Sequence, residues 1–148
     1  MKNIRLLFFI PLLLLAAVAF QTNNSFRTQQ KKIAHVKTAY AEKYAGIGKR
    51  LRELGVDSNT VQLYIRGFKK DDKLEAWVKS AKQTSWQLFR TYDICAKSGD
   101  LGPKRCQGDG QVPEGFYKVN VFNPYSSYYL SLGVSYPNQA DRKFACKR

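Results

Sequence analysis

The spacing of apolar residues changes once along this chain, near Asp57, and this change limits the possible folds more than any other feature. Before it, apolar side chains recur every three or four positions over residues 31–54, which predicts an amphipathic helix. The stripe consists of Ile33, Val36, Tyr40, Tyr44, Ile47, Leu51 and Leu54. Gly55 follows at the position where a left-handed residue commonly ends a helix. Gly46 and Gly48 weaken the middle of the helix, where we expect a bend.

After Asp57 apolar and polar residues alternate, which is the pattern of strands with one buried face. In the first strand Val61, Leu63 and Ile65 alternate with more polar neighbours, so we expect these three side chains to be buried. The predicted strands are 61–68, 74–80, 86–96, 116–122 and 128–136, with a turn at 69–73 joining the first two into a hairpin. Because no crossover helix is predicted between them, the sequence predicts a mainly β domain preceded by one amphipathic helix.

Residues 1–19 have the features of a secretory signal peptide. Lys2 and Arg5 begin an apolar run, and Ala17-Val18-Ala19 places small residues where a signal peptidase cuts. The run is shorter than the ~20 residues that a membrane-spanning helix needs. We therefore expect cleavage, export to the periplasm or cell envelope, and no stable membrane insertion afterwards; an uncleaved N-terminal anchor is the alternative. Residues 20–30 are polar and are predicted to be a linker, ahead of a helical extension at 31–56.

The chain carries a formal net charge of +14. This falls to +12 without residues 1–19, because that segment contains two basic residues and no acidic one. In an exported protein such a charge attracts wall peptides, anionic lipids or surface polysaccharides, and we expect no nucleic-acid partner. A solvated basic surface without a particular ligand is the alternative interpretation. The sequence does not indicate an oligomeric state.

Three cysteines and one histidine are the residues that could carry nucleophilic or metal chemistry. Disulfides are permitted in an exported protein. Cys95 and Cys106 could pair across the loop between them, which would leave Cys146 unpaired. There is no C-x-x-C motif and no His/Cys cluster, so no metal site is predicted. His35 lies in a polar helical segment and is expected to be a helix-surface residue.

Residues 98–115 form a long segment rich in glycine and proline, which in a compact domain is typical of a functional loop. Near its end Pro113 fixes φ and Gly115 allows a backbone conformation that other residues avoid, so the entry into the next strand should be rigid. Aromatic residues crowd there, and we expect them either to pack in the sheet or to form the wall of a groove. They are Phe116, Tyr117, Phe122, Tyr125, Tyr128, Tyr129 and Tyr136.

Two segments, residues 95–117 and 122–142, resemble the catalytic domain of the L,D-transpeptidases (the YkuD-type domain), and its murein transpeptidase branch in particular. The first carries the family's G-D-x-x-T/V/S-P-x-G-x-Y turn, and the second carries Y-P-N-x-x-D-R. The matching residues are Gly108, Asp109, Pro113, Gly115, Tyr117, Tyr136, Pro137, Asn138, Asp141 and Arg142. Val112 stands where threonine is commoner. The resemblance extends over roughly residues 60–142.

The resemblance implies an L,D-transpeptidase-like β-sandwich, of which residues 57–148 would form an incomplete, N-terminal part. It also implies peptidoglycan stem peptides as the substrate, with no metal or organic cofactor. In this family a cysteine thiolate activated by a histidine attacks the carbonyl between an L-centre, usually diaminopimelate, and D-alanine; an amine or water then resolves the thioester. The residues carried over as candidates for a substrate groove or a structural motif are Gly108, Asp109, Pro113, Gly115, Tyr117, Tyr136, Asn138 and Arg142.

The family's catalytic H-G and S-x-G-C-x-R segments have no counterpart in these 148 residues. Cys146 lies between Ala145 and Lys147 and does not follow a glycine. Cys106 does not match the position of the nucleophile, although basic neighbours could lower its pKa. We therefore expect no catalytic residue and no transpeptidation in this chain.

Two other classes of function remain open from the sequence. The first is a non-catalytic, peptidoglycan-binding envelope protein that uses the basic surface and the aromatic strands. The second is an envelope-anchored protein whose first helix faces lipid, for which we expect weak binding to anionic vesicles at most.

Overall fold

The computed structural model describes residues 26–146, so the predicted signal peptide and the start of the predicted linker lie outside the described residues. Three helices and five strands follow one another along this part of the chain. They are α1 (Phe26–Gln30), α2 (Ala34–Glu53), β1 (Val61–Phe68), β2 (Lys73–Ser80), β3 (Gln87–Asp93), β4 (Val119–Asn123), β5 (Ser131–Val134) and α3 (Gln139–Lys143). Helix α1 occupies the second half of the predicted linker. Within residues 26–146 no helix is long and apolar enough to cross a bilayer.

The strands form two antiparallel sheets. Strands β1, β2 and β3 are neighbours in a three-stranded sheet, and β4 pairs with β5 in a two-stranded one. The β1–β2 hairpin runs from the pair Val61–Ser80 to the pair Phe68–Lys73 without a shift of register. The prediction of a mainly β fold with a preceding amphipathic helix is confirmed, whereas the sandwich arrangement stays a prediction. Strands β3, β4 and β5 are all shorter than the sequence predicts.

Helix α2 forms where the apolar stripe predicts it and runs through Gly46 and Gly48 without interruption. Leu54 is its C-cap, and Gly55 follows with φ of 64°, the left-handed conformation expected at this point. A residue with a Cβ would be strained there, which is why the helix stops at a glycine.

A small apolar core lies between the end of α2 and the sheet. Leu51, Val56 and Val78 are buried in it, and Leu54 and Phe89 pack against it. Burying such side chains stabilises a fold by about 1.5–3 kcal/mol each. This contact positions α2 over β2 and β3.

Hydrogen bonds reinforce the junction between α2 and β3. The Arg50 guanidinium donates to the carbonyls of Leu88 and Phe89, at 3.4 and 3.3 Å. The side-chain amide of Gln87 donates to the Leu54 carbonyl at 2.8 Å. The helix end is thereby held to an edge strand through polar as well as apolar contacts.

Strand β1 departs from the prediction of a half-buried strand. Val61, Leu63 and Ile65 are 37–54% exposed, so the expectation that they are buried is wrong. They lie opposite Ser80, Val78 and Ala76 of β2, which are buried. The reason is that the core contacts of α2 reach β2 and β3, and β1 is the sheet edge beyond them.

Candidate functional site

The candidate site is built on the segment between β3 and β4, residues 94–118, which contains no helix or strand. The sequence predicts a long loop here, and the structure confirms it. Gly108 and Gly110 adopt φ of 81° and 69°, on either side of Asp109. Residues with a Cβ rarely adopt this conformation, so the two glycines are what allow the chain to turn twice around one carboxylate.

The Asp109 carboxylate is the centre of this turn. It accepts hydrogen bonds from the backbone N–H groups of Arg105 and Cys106, each at 2.8 Å, and of Gln111 at 3.0 Å. Lys104 pairs with it as well. The hydrogen bond from Lys104, followed by those from the backbone, holds the pKa of Asp109 far below its usual range. An ionised carboxylate with all these donors is suited to holding a loop together and not to proton transfer.

Lys69, from the turn between β1 and β2, reaches across to the same segment. Its Nζ donates to the carbonyls of Gly102 and Val112, at 2.7 and 3.1 Å, and lies 3.0 Å from the Glu114 carboxylate. Glu114 also accepts from the Gly102 N–H at 2.9 Å. The ion pair with Lys69 is the main cause that lowers the pKa of Glu114. Sequence patterns missed both side chains, because the partners lie 33 to 45 positions apart.

The two motif segments meet at Tyr117. Its hydroxyl donates to the Asp141 carboxylate, at 3.0 and 3.1 Å from the two oxygens. Asp141 is buried and also accepts from the Asn138 N–H at 2.8 Å, while the Asn138 side chain accepts from the Asp141 N–H at 2.9 Å. This reciprocal arrangement is a capping box that begins α3. Burial and then the bond to Asp141 raise the pKa of Tyr117 to about 12.

Two further motif residues pack beside this bridge. The Tyr136 ring meets the Tyr117 ring edge-on, with 6.0 Å between centroids. A Cβ added at Gly115 would lie 2.8 Å from the Tyr117 hydroxyl oxygen, so any other residue there would displace the tyrosine. Gly115 is therefore needed for the close approach of the Tyr117 side chain. Beside it, the Asn138 side chain donates to the Phe116 carbonyl at 3.4 Å.

The remaining candidates lie at different places around the segment. Pro113 is partly buried between the two groups that Lys69 holds. Arg142 is exposed on α3, where its side chain is open to a ligand. Gly108 and Asp109 form the far turn, which is joined to the region after α3 by a disulfide.

The disulfide differs from the pairing that the sequence suggests as possible. Cys106 is bonded to Cys146, with 5.4 Å between their Cα atoms, and Cys95 is free and exposed. The possible Cys95–Cys106 pairing does not form, because α3 carries the chain back to the loop, where the Cys146 N–H donates to the Arg105 carbonyl at 3.1 Å. Proximity in sequence did not reveal this return. A sulfur in a disulfide is not a thiolate, so neither bonded cysteine is available as a nucleophile.

Two curated proteins are similar to this chain. Each is named "Putative L,D-transpeptidase YafK", one from Escherichia coli (strain K12) and the other from Escherichia coli O157:H7, and each is 45% identical over 82 residues. The chain is therefore similar to part of two putative L,D-transpeptidases. The aligned residues cover 54% of this chain and 32% of each relative, so the chain spans about a third of the length of the curated relatives that it matches. No family model matches it.

The position of His35 bears on the expectation that this chain carries no catalytic residue. The His35 ring stacks on the Tyr129 ring at 4.9 Å, and its carbonyl accepts from the Tyr129 hydroxyl at 3.1 Å. His35 is exposed on α2, as the sequence predicts. Within residues 26–146 no group of three His, Cys, Asp or Glu side chains is arranged to hold a metal ion.

The exposed aromatic residues separate the two interpretations of the aromatic cluster. Phe116, Tyr125 and Tyr128 are each at least 76% exposed, so for these three the expectation of sheet packing is wrong. Tyr117 and Tyr136 pack on each other instead. Of the three exposed rings, that of Phe116 directly precedes Tyr117 in the chain, and Tyr125 lies beside the start of α2.

Proposed function

We propose that this chain is an exported protein of the L,D-transpeptidase family that binds the stem peptides of peptidoglycan in the periplasm or cell envelope. The observation that carries the proposal is the bridge from Tyr117 to Asp141 and Asn138, since it joins the two family motifs into one structure. Arg142 and the ring of Phe116 border this bridge and are exposed, so they are the residues we expect to touch the ligand. The net charge, +12 without residues 1–19, favours partners that carry carboxylates.

Retention on purified peptidoglycan sacculi tests the proposal. We expect the purified chain to sediment with sacculi at low salt and to be released by a soluble stem peptide. Arg142→Gln should weaken retention more than Arg52→Gln, a matched control on exposed α2 that removes the same charge. Release by salt but not by the peptide, with equal behaviour of the two variants, would show that only charge is involved.

We further propose that the 148-residue chain does not catalyse acyl transfer. Cys106 and Cys146 are bonded to each other, and His35 contacts Tyr129. Incubation with a stem-peptide donor or a carbapenem, followed by mass spectrometry of the intact protein, should show no added mass. A thioester on the exposed Cys95 would contradict this expectation.

The alternative function is a non-catalytic, peptidoglycan-binding envelope protein. It is favoured by the same disulfide, because bonding Cys106 to Cys146 ties the far turn of the loop to the region after α3 while leaving no thiolate at either position. Both functions predict retention on sacculi. Neither predicts a thioester for these 148 residues in the mass-spectrometry experiment, so a thioester would support an active enzyme and contradict both.

Export is the remaining part of the proposal. Cleavage after Ala19 would give a mature protein that begins at Phe20. The mass of the protein recovered from the periplasmic fraction checks this. Recovery of the uncleaved chain in the membrane fraction would instead support an N-terminal anchor.

A further inference from the structure

Lys69 joins the two arms of the loop that carries the first motif, at the point where the arms approach each other (the neck of the loop). Its ammonium contacts the carbonyl of Gly102 on the incoming arm and the carbonyl of Val112 on the outgoing arm, at 2.7 and 3.1 Å. Its third partner is the carboxylate of Glu114, at 3.0 Å. The side chain is only 12% exposed. An ammonium has three donors and no acceptor, so this set of three oxygens satisfies it completely.

The Lys69 contacts lie on both sides of Pro113 in the chain. Val112 and Glu114 are the two neighbours of that proline in the chain. Lys69 holds the carbonyl before the proline and the carboxylate after it, and therefore holds both ends of the rigid motif turn. Hydrogen bonds from a charged donor are stronger than neutral ones, and they are stronger still where water is excluded.

The backbone that carries Lys69 is itself tied to the start of the loop. Lys97, four residues after β3, donates through Nζ to the Lys69 carbonyl at 2.6 Å and pairs with Asp72 in the same turn. The turn between β1 and β2 therefore contacts the loop twice, through Lys69 and through Lys97. The Lys97 contacts hold the backbone of Lys69 in place, and so keep its side chain directed at the carbonyls of Gly102 and Val112.

We propose that Lys69 is a positioning residue that sets the shape of residues 108–117 and, through them, their fit to the ligand. This inference rests on the proposed function for the ligand, but its structural part stands by itself. Neighbouring Lys70 is exposed and provides a matched control of the same charge.

Amide hydrogen exchange of the purified chain tests the structural part. Lys69→Met should speed the exchange of the Gly102 amide by about tenfold or more, because the Glu114 carboxylate to which this amide donates loses the ammonium that holds it in place. Amides of β2, such as that of Val78, should keep their rates. Lys69→Arg should restore part of the protection, and Lys70→Met should change nothing. Equal effects of Lys69→Met and Lys70→Met, or equal acceleration in β2, would overturn the proposal.

Two readouts separate positioning from general stability. In Lys69→Met the pKa of the Glu114 carboxyl, followed by NMR, should rise towards its ordinary value, and in Lys70→Met it should not. Glu114→Ala is the second variant, for the case that Lys69→Met fails to fold. It removes the acceptor of the Gly102 N–H and one of the three partners of Lys69, so it should also speed exchange at Gly102. An unchanged Gly102 rate in Glu114→Ala would overturn the proposal.

The link to the ligand is measured on sacculi. Both Met variants lose one positive charge, so a difference between them is not an effect of net charge. We expect Lys69→Met to lose most of the retention that a soluble stem peptide can compete, and Lys70→Met to keep it. Equal retention would overturn the functional part of the proposal. If the unmodified chain is not retained at all, the proposed function fails, while the exchange rates still decide whether Lys69 shapes the loop.

Discussion

Two regions of this molecule are held together by different physical means. The region of α2 and the three-stranded sheet has an apolar core made of Leu51, Val56 and Val78. The motif region, residues 94–146, is held by buried or shielded polar groups, among them Asp141, and by a disulfide. The first region is stabilised by burial of apolar side chains, whereas in the second region a few charged groups each accept or donate several hydrogen bonds.

The two regions also differ in how far apart in sequence their contacting residues lie. The β1–β2 hairpin and the hydrogen bonds within α2 join residues that a few turns or a short loop separate, and they repeat along the chain. The hydrogen bonds that hold α2 to the sheet span 33 to 39 positions. In the motif region each decisive contact joins residues far apart: Tyr117 with Asp141, Lys69 with Val112, and Cys106 with Cys146. A single substitution should therefore affect the two regions in different ways.

The largest expected effect comes from breaking the disulfide. It joins residues 40 positions apart, and closing a loop of that length stabilises a fold by about 4 kcal/mol in the chain-entropy account. Cys106→Ser, or reduction of the unmodified chain, should lower the free energy of unfolding measured with denaturant by about that amount. Cys95→Ser should have little effect. Equal stability with and without reductant would show that the motif region does not depend on the bridge.

The next effect tests the apolar region. Leu51→Ala removes a buried side chain from a small core, and we expect a loss of about 2–3 kcal/mol in the free energy of unfolding. Ile47→Ala, one turn earlier on an exposed position, should change it by less than about 0.5 kcal/mol. Similar losses in the two variants would mean that the core of this region lies elsewhere.

A smaller effect is expected from Asp141→Asn, which weakens the bridge to Tyr117 by about 1–2 kcal/mol. The pKa of Tyr117, about 12 in the fold, should fall towards the ordinary value of about 10. The raised pKa means that the neutral phenol is favoured in the folded state. This stabilisation is complete below about pH 10 and is lost as the pH rises through 12. NMR titration of the tyrosine rings measures it, with exposed Asp100→Asn as the control.

The smallest expected effect is on thermal stability at acid pH. Because the pKa of Asp109 is lowered, the ionised carboxylate is favoured in the fold, so its contribution is complete above about pH 4 and is lost as the pH falls below that value. Asp109→Asn should flatten the decline of the thermal unfolding midpoint between pH 4 and pH 2, as scanned in about half-unit steps. Asp71→Asn, in the exposed β1–β2 turn, should leave the decline unchanged. A steep decline in Asp109→Asn would place the acid-sensitive group elsewhere.

Much of the first region could be predicted from the sequence. Helix α2 and β1 begin and end within three residues of the predicted positions, since hydrophobic period and Gly55 are local signals. Burial on β1 could not be predicted, because alternation shows which face is apolar but not whether anything covers it. Val61, Leu63 and Ile65 have the right pattern and are nevertheless exposed.

The motif region could be recognised but not built from the sequence. The two motifs identify Tyr117, Asn138 and Asp141, yet neither motif says that they bond to each other. Lys69 belongs to neither motif, and the sequence predicts only that it lies in the turn between β1 and β2. Nearness along the chain suggests Cys95 as a possible partner of Cys106, whereas the partner in the structure is Cys146, 40 positions away. The Tyr117–Asp141 bond and the disulfide depend on how α3 packs against the loop, and the Lys69 contacts depend on how the β1–β2 turn packs against it. No local sequence pattern indicates either arrangement.

The central claim is that the two motif segments form one polar assembly, and a double-mutant cycle between Tyr117→Phe and Asp141→Asn tests it most directly. The free energy of unfolding is measured for the unmodified chain, the two single variants and the double variant. If the segments meet as described, the effects are not additive, and the coupling energy is about 1 kcal/mol or more. Additive effects, within about 0.3 kcal/mol, would contradict the claim that Tyr117 and Asp141 hold the two motifs together.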